Sequence, residues 1–302
     1  MPPSLAERLG FRAADRVAVV HVDDIGMCHA ANEGAFEALA KGPATCGSVM
    51  VPCPWFAEAA ERARADPELD LGVHLTLNSE WPRYRWGPVA ARSAVPSLLD
   101  DAGMLPRTSL GTARRARPEE VEIELRAQIE RALATGIDVT HLDSHMGTCV
   151  LAPFLPIYVK LAREFELPVF AARPDRAVLE RAGIAAAFEV LRALEDAARA
   201  AGLPVLDGCD LGMPSDASEA HERERAAGLG PGVSWLLCHA AHDGEELRAI
   251  TPESAQQRDC ERRFWGGEAG RRALEAAGVR TVGMRAIRAL LRSERRPEGD
   301  PR

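Results

Sequence analysis

From residue 17 almost to the C-terminus, short apolar runs alternate with helical patterns, and this regularity limits the fold more than any other feature of the chain. Apolar runs at 17–22, 48–51, 69–77, 139–143, 169–171, 204–206, 233–238 and 280–282 read as strands. Helical patterns fall between and after them, at 32–41, 55–65, 119–135, 156–166, 184–201, 252–264 and 268–277, with one more at the end. The 119–135 segment is the clearest. Pro118 stands where a first-turn proline is tolerated, Val121, Leu125, Ile129 and Leu133 recur every four residues, and Gly136 closes the helix. Strands joined through helices run parallel, because a helical crossover returns the chain to the end of the sheet where the previous strand began. The expected fold class is therefore α/β, with the sheet either doubly wound or closed into a barrel.

Two segments break the rhythm. Residues 78–117 are rich in Pro, Arg and Gly and are too long for an ordinary connection, which marks them as an active-site insertion. Residues 293–302 are polar and read as a disordered tail. The remaining 1–292 are expected to form one domain, a common size for an α/β barrel. With 46% hydrophobic residues the chain can bury one large core. A net charge of -8 argues against a nucleic-acid partner. The N-terminal ten residues carry Glu7 and Arg8 and lack an apolar run, so they do not read as a signal peptide. No stretch approaches the roughly 20 apolar residues that would insert in a membrane. Seven scattered cysteines without a C-x-x-C pair fit reduced thiols in the cytoplasm.

Four polar clusters lie at the ends of expected strands, where α/β enzymes build their sites. The first is His21-Val22-Asp23-Asp24. Adjacent carboxylates repel unless a cation or a shared proton relieves them, whereas a helix cap would need only one. In Gly72-Val73-His74-Leu75 a lone histidine interrupts an apolar strand, and a hydrogen-bonded core histidine is the competing account. The third run, Thr140-His141-Leu142-Asp143-Ser144-His145, places His141, Asp143 and His145 on one side of an extended chain. Imidazoles flanking a carboxylate suit a metal ligand and the partner that orients it. The fourth is Cys238-His239, with His242 and Asp243 close behind as loop residues. Two histidines and one carboxylate make a divalent-metal site with open positions. A second carboxylate and a further histidine remain for acid and base work.

These motifs, in this order, resemble the YdjC-like carbohydrate deacetylases, which include chitooligosaccharide deacetylases and hopanoid-biosynthesis-associated deacetylases. The resemblance rests on Val22-Asp23-Asp24-Ile25-Gly26, Gly72-Val73-His74-Leu75, Thr140-His141-Leu142-Asp143-Ser144-His145 and Cys238-His239. Gln257-Arg258 with Glu261 and the Gly278-Val279 ending match more weakly. The resemblance implies an irregular (β/α) TIM-like barrel related to the polysaccharide deacetylases. It also implies one divalent metal, magnesium or zinc, on Asp24, His74 and His145, with Asp23 as base and His239 as acid. His141 and Asp143 stand as orienting partners or alternative ligands. Met146-Gly147 and Ala240 depart from the family pattern, which has further histidines and a proline there.

The implied reaction is hydrolysis of an acetamide on an N-acetylated sugar or glycoconjugate by a metal-dependent carbohydrate deacetylase. Trp81, Tyr84 and Trp86 in the insertion are candidates to stack on a sugar ring, or else to anchor the loop. Arg173 and Arg258 are further candidates for substrate contact. Competing readings are another metallohydrolase on the same barrel, an amidase or phosphoesterase, and a catalytically silent metal- or sugar-binding protein. The family resemblance is compatible with a homodimer.

Overall fold

A computed structural model describes residues 3–181, 183–212 and 217–295. Its centre is a seven-stranded sheet of β1 (Arg16–Ile25), β2 (Cys46–Val49), β3 (Leu71–Leu75), β4 (Val139–Ser144), β5 (Gly208–Asp210), β6 (Gly232–Cys238) and β7 (Val279–Thr281). The order is β4-β3-β2-β1-β6-β5, and β7 pairs with the first residues of β1. Every pairing is parallel, as helical crossovers demand. The ladder is open between β4 and β5. The extended segment 169–172 spans that gap through isolated bridges alone, Leu142 with Val169 and Ala172 with Leu206. The expected strands at 169–171 and 204–206 are thus reduced to bridging residues, and the barrel is irregular on that side.

Residues hidden from both faces explain the unbroken apolar runs. Every residue of β1 after Arg16 is buried, and so is all of β2 and β3. Helices cover the outside. In the helix Pro118–Ala134, Val121, Leu125 and Ile129 are fully buried, each contributing about 1.5–3 kcal/mol of apolar burial. Leu133, expected on the same stripe, is 42% exposed. Each step of four residues advances about 40° around a helix of 3.6 residues per turn, so three steps carry Leu133 about 120° away from Val121. Ala132 is buried in its place.

The insertion 78–117 has little regular structure beyond two short turns and the helix Ser109–Arg115. It is nonetheless packed and hydrogen-bonded. Val95, Leu98 and Leu105 are fully buried. Two carboxylates of the helix Pro118–Ala134 hold its backbone: Glu124 accepts from Val89 N and Ala90 N at 2.9 Å each, and Glu120 accepts from Ser97 N at 2.6 Å. At the other end of the chain, residues 293–295 of the expected tail complete the helix Met284–Arg295, and 296–302 lie outside the described residues. Among the described residues no helix is long and apolar enough to cross a membrane.

Candidate metal centre and active site

β1 continues through both aspartates to Ile25 rather than ending before them. Its pairing with β2 shifts register between Val22 and Ile25, and Asp24 takes a left-handed φ of 64°. A regular strand would send consecutive side chains to opposite faces. The irregularity brings both to one place: Asp23 Oδ2 lies 3.6 Å and Asp24 Oδ1 3.5 Å from His74 Nε2. A non-glycine residue in this region costs on the order of 1–3 kcal/mol and is typical of sites where strain serves geometry.

His74 projects from β3, and His145 opens the turn that follows β4. Asp24, His74 and His145 are all buried, with ligand-type atoms within 4.8 Å of one another. Asp24 Oδ1 is 3.3 Å from His145 Nδ1 and has no hydrogen-bond partner, although it is inaccessible to solvent. Ligand atoms about 2.1 Å from one ion at tetrahedral angles stand about 3.4 Å apart. The observed separations of 3.3 and 3.5 Å therefore fit a shared divalent ion.

Each histidine has a carboxylate behind its other nitrogen. His74 Nδ1 is 2.9 Å from Asp143 Oδ2, to which the Ser48 hydroxyl also donates at 2.8 Å. His145 Nε2 is 3.1 Å from both oxygens of Glu80. Such pairs fix the tautomer and ring plane of a ligating histidine. Burial disfavours the charged form of His74, but Asp143 and Asp23 outweigh it and raise the pKa well above the ordinary value. Burial is likewise outweighed at His145, where Glu80 and Asp24 push the pKa up to about 9. Asp24 is held far below the usual range despite burial, chiefly by Arg258, whose Nη2 lies 2.8 Å from Oδ2.

Asp23 sits beside the cluster in a different electrostatic state. Burial, with Asp143 and Asp24 nearby, pushes its pKa up to about 7. His239 follows β6, with Nε2 4.0 Å from Asp23 Oδ2 and its backbone N donating to Glu261 at 2.6 Å. Burial and the Arg258 charge push its pKa down to about 4.

Of the residues singled out in the sequence, Asp23, Asp24, His74, His145, His239, Asp143 and Arg258 meet here. Arg258 is engaged with Asp24 and buried. His141 points elsewhere, into the sheet interior, with Nε2 2.9 Å from His21 Nε2. Arg173 is 59% exposed and pairs with Glu195 on the helix Phe188–Ala200. Trp81 and Trp86 are buried and meet edge to face, Trp86 Nε1 donates to Asn78 O at 3.1 Å, and the Tyr84 hydroxyl donates to Met27 O at 2.6 Å. These rings anchor the insertion. Glu80 and Ser48 escaped the sequence reading: each is a lone polar residue whose importance comes from what the fold sets opposite it.

The YdjC-like protein family pattern matches residues 17–276. A carbohydrate deacetylase of Thermus thermophilus is 37% identical over 256 residues, covering 84% of this chain and 88% of that one. A chitooligosaccharide deacetylase of Klebsiella pneumoniae is 33% identical over 173 residues, 56% of this chain and 64% of that one. Among solved structures, an Enterococcus faecalis protein described as a candidate for cellobiose-phosphate cleavage superposes with a TM-score of 0.75 at 25% identity, covering 90% of this chain and 99% of the other. A match spanning all four polar clusters places the chain in the YdjC-like family.

Proposed function

We propose that this chain is a metal-dependent deacetylase that hydrolyses the acetamide of an N-acetylated carbohydrate. The observation that carries the reading is the convergence of Asp24, His74 and His145 on a common point with Asp23 beside them. The relatives named as carbohydrate deacetylases supply the substrate class. Asp24 Oδ1, His74 Nε2 and His145 Nδ1 would hold the ion, magnesium or zinc, and the two imidazoles favour zinc. When bound, such an ion polarises a carbonyl and makes water a competent nucleophile near neutral pH.

The chain's own groups then handle the protons. Asp23 takes the proton as water adds to the amide carbon, and a pKa near 7 suits a base at neutral pH. His239 is neutral beforehand, so the proton it hands to the departing amine has to reach it first. Asp23 Oδ2, 4.0 Å away, is the source. Arg258 keeps Asp24 ionised and in place. Asp23 also argues against a silent binding protein, since holding a metal needs no base. We read residues 1–292 as one catalytic domain working in the cytoplasm, alone or as a homodimer. Seven free and buried cysteines support that location.

Mass-spectrometric detection of acetate released from a panel of N-acetylated sugars, with the protein loaded with magnesium or zinc, tests the function. Equimolar acetate and free amine are expected from at least one sugar. Silence across the panel under both metals would sink the reading.

A further inference from the structure

Behind Asp23 a file of buried polar groups runs back through the sheet interior. Asp70, just before β3, accepts from Arg285 N at 2.7 Å with one oxygen and from the Thr140 hydroxyl at 2.5 Å with the other. Thr140 Oγ1 also lies 2.9 Å from His141 Nδ1. His141 Nε2 meets His21 Nε2 at 2.9 Å, and His21 Nδ1 lies 2.7 Å from Asp23 Oδ1. Thr140, His141 and His21 are fully buried.

Counting hydrogens leaves one arrangement. A threonine hydroxyl has a single hydrogen, and Asp70 takes it, so Thr140 can only accept from His141 Nδ1. Burial holds both rings neutral, with pKa values pushed down to about 3 at His141 and about 4 at His21. A neutral imidazole has one N–H, so His141 Nε2 must accept and His21 Nε2 must donate. Asp143 Oδ2, 3.8 Å from the same His21 nitrogen, is beyond hydrogen-bond range. His21 is left with Nδ1 unprotonated, so its 2.7 Å contact with Asp23 Oδ1 is a hydrogen bond only when Asp23 carries the proton. Packing locks both rings: Trp235 stacks on His21 at 4.2 Å, and a Cβ on Gly72 would come within 2.6 Å of the His141 ring.

We propose that Asp70, Thr140, His141 and His21 form a buried positioning line that fixes which nitrogen of His21 faces Asp23, and through it the direction of the Asp23 carboxyl. Oδ1 faces the ring and donates to Nδ1 once Asp23 has taken a proton, and Oδ2 faces His74 and His239. The proposal rests on Asp23 being the base of the deacetylase reading, but its first test does not need turnover.

In ¹⁵N-histidine-labelled wild-type protein, nitrogen chemical shifts should show His141 protonated at Nδ1 and His21 at Nε2. Thr140→Val keeps the side-chain volume and removes the hydroxyl. It should disturb both tautomers and lower kcat for acetate release on the order of 10- to 10²-fold through misaligned geometry, with KM and metal affinity unchanged. Thr140→Ser should restore both. A wild-type spectrum with His141 protonated at Nε2 would overturn the line, whether or not Thr140→Val folds. So would a folded Thr140→Val with kcat within about two-fold of wild type, a change smaller than misalignment produces. If the wild type releases no acetate from any sugar, the function falls and the tautomers alone decide the line.

Discussion

His74 and His145 at the mouth of the sheet differ from His21 and His141 in its interior, although all four are 5% exposed or less. The first two each have a carboxylate behind one nitrogen and face Asp24 with the other, and their pKa values rise. The interior two face each other, with the Thr140 hydroxyl behind His141 and the Asp23 carboxyl behind His21, and burial pushes their pKa values down. The same side chain at the same depth is thus charged at the mouth and neutral in the interior, according to whether its carboxylate neighbours outweigh the cost of burial. In the proposed roles, the outer pair would hold a cation and the inner pair would transmit orientation.

The contrast predicts its largest effects at the two adjacent aspartates. Asp24→Asn should abolish stoichiometric metal binding in calorimetry or metal analysis. Asp23→Asn should keep the metal and lose acetate release by a factor of about 10²–10⁴, the usual worth of a general base. Equal loss of metal from both variants would erase the division between ligand and base. The next effect is smaller and tests the carboxylates behind the outer pair. Glu80→Gln should weaken metal affinity by about 10- to 100-fold, the typical cost of removing an orienting partner, while the fold melts as before. Unchanged affinity would mean that His145 is held by packing alone.

The smallest effect is on stability in chelator-treated protein. His145 has a raised folded pKa, so its contribution is complete below the unfolded value near 6.5 and is lost as pH rises through about 9. His21 and His141 have depressed folded values of about 4 and about 3, so they contribute when neutral and destabilise as pH falls below roughly 6.5. The melting temperature should therefore peak near pH 6.5 and decline on both sides, a shape that bound metal should flatten on the alkaline limb. A steady rise through pH 9 without metal would show that the outer pair is not charged in the fold.

The sequence carried the parallel α/β architecture and the four polar clusters, because strand length and the placement of His and Asp after apolar runs are local features. It did not carry depth. Alternation correctly puts His141 and Asp143 on one face, yet Asp143 reaches His74 whereas His141 turns toward His21. Nor did it show the register shift that brings Asp23 and Asp24 to one nitrogen, since pairing with β2 is a tertiary event. Glu80 was invisible for a related reason: it lies in an insertion with no periodicity, and only the folded loop sets it against His145.

That insertion is a wall rather than a flap. Glu120 and Glu124 clamp its backbone, Tyr84 ties it to Met27 and Trp86 to its own first residue, Asn78, and Ser79 N donates to Pro106 O at 2.8 Å across its base. Folding has already met the ordering entropy of this segment, so a ligand packed against it would not have to supply it. In the proposed deacetylase, a ligand would then be sorted by whether it fits a standing shape beside His145 rather than by what it orders on closure.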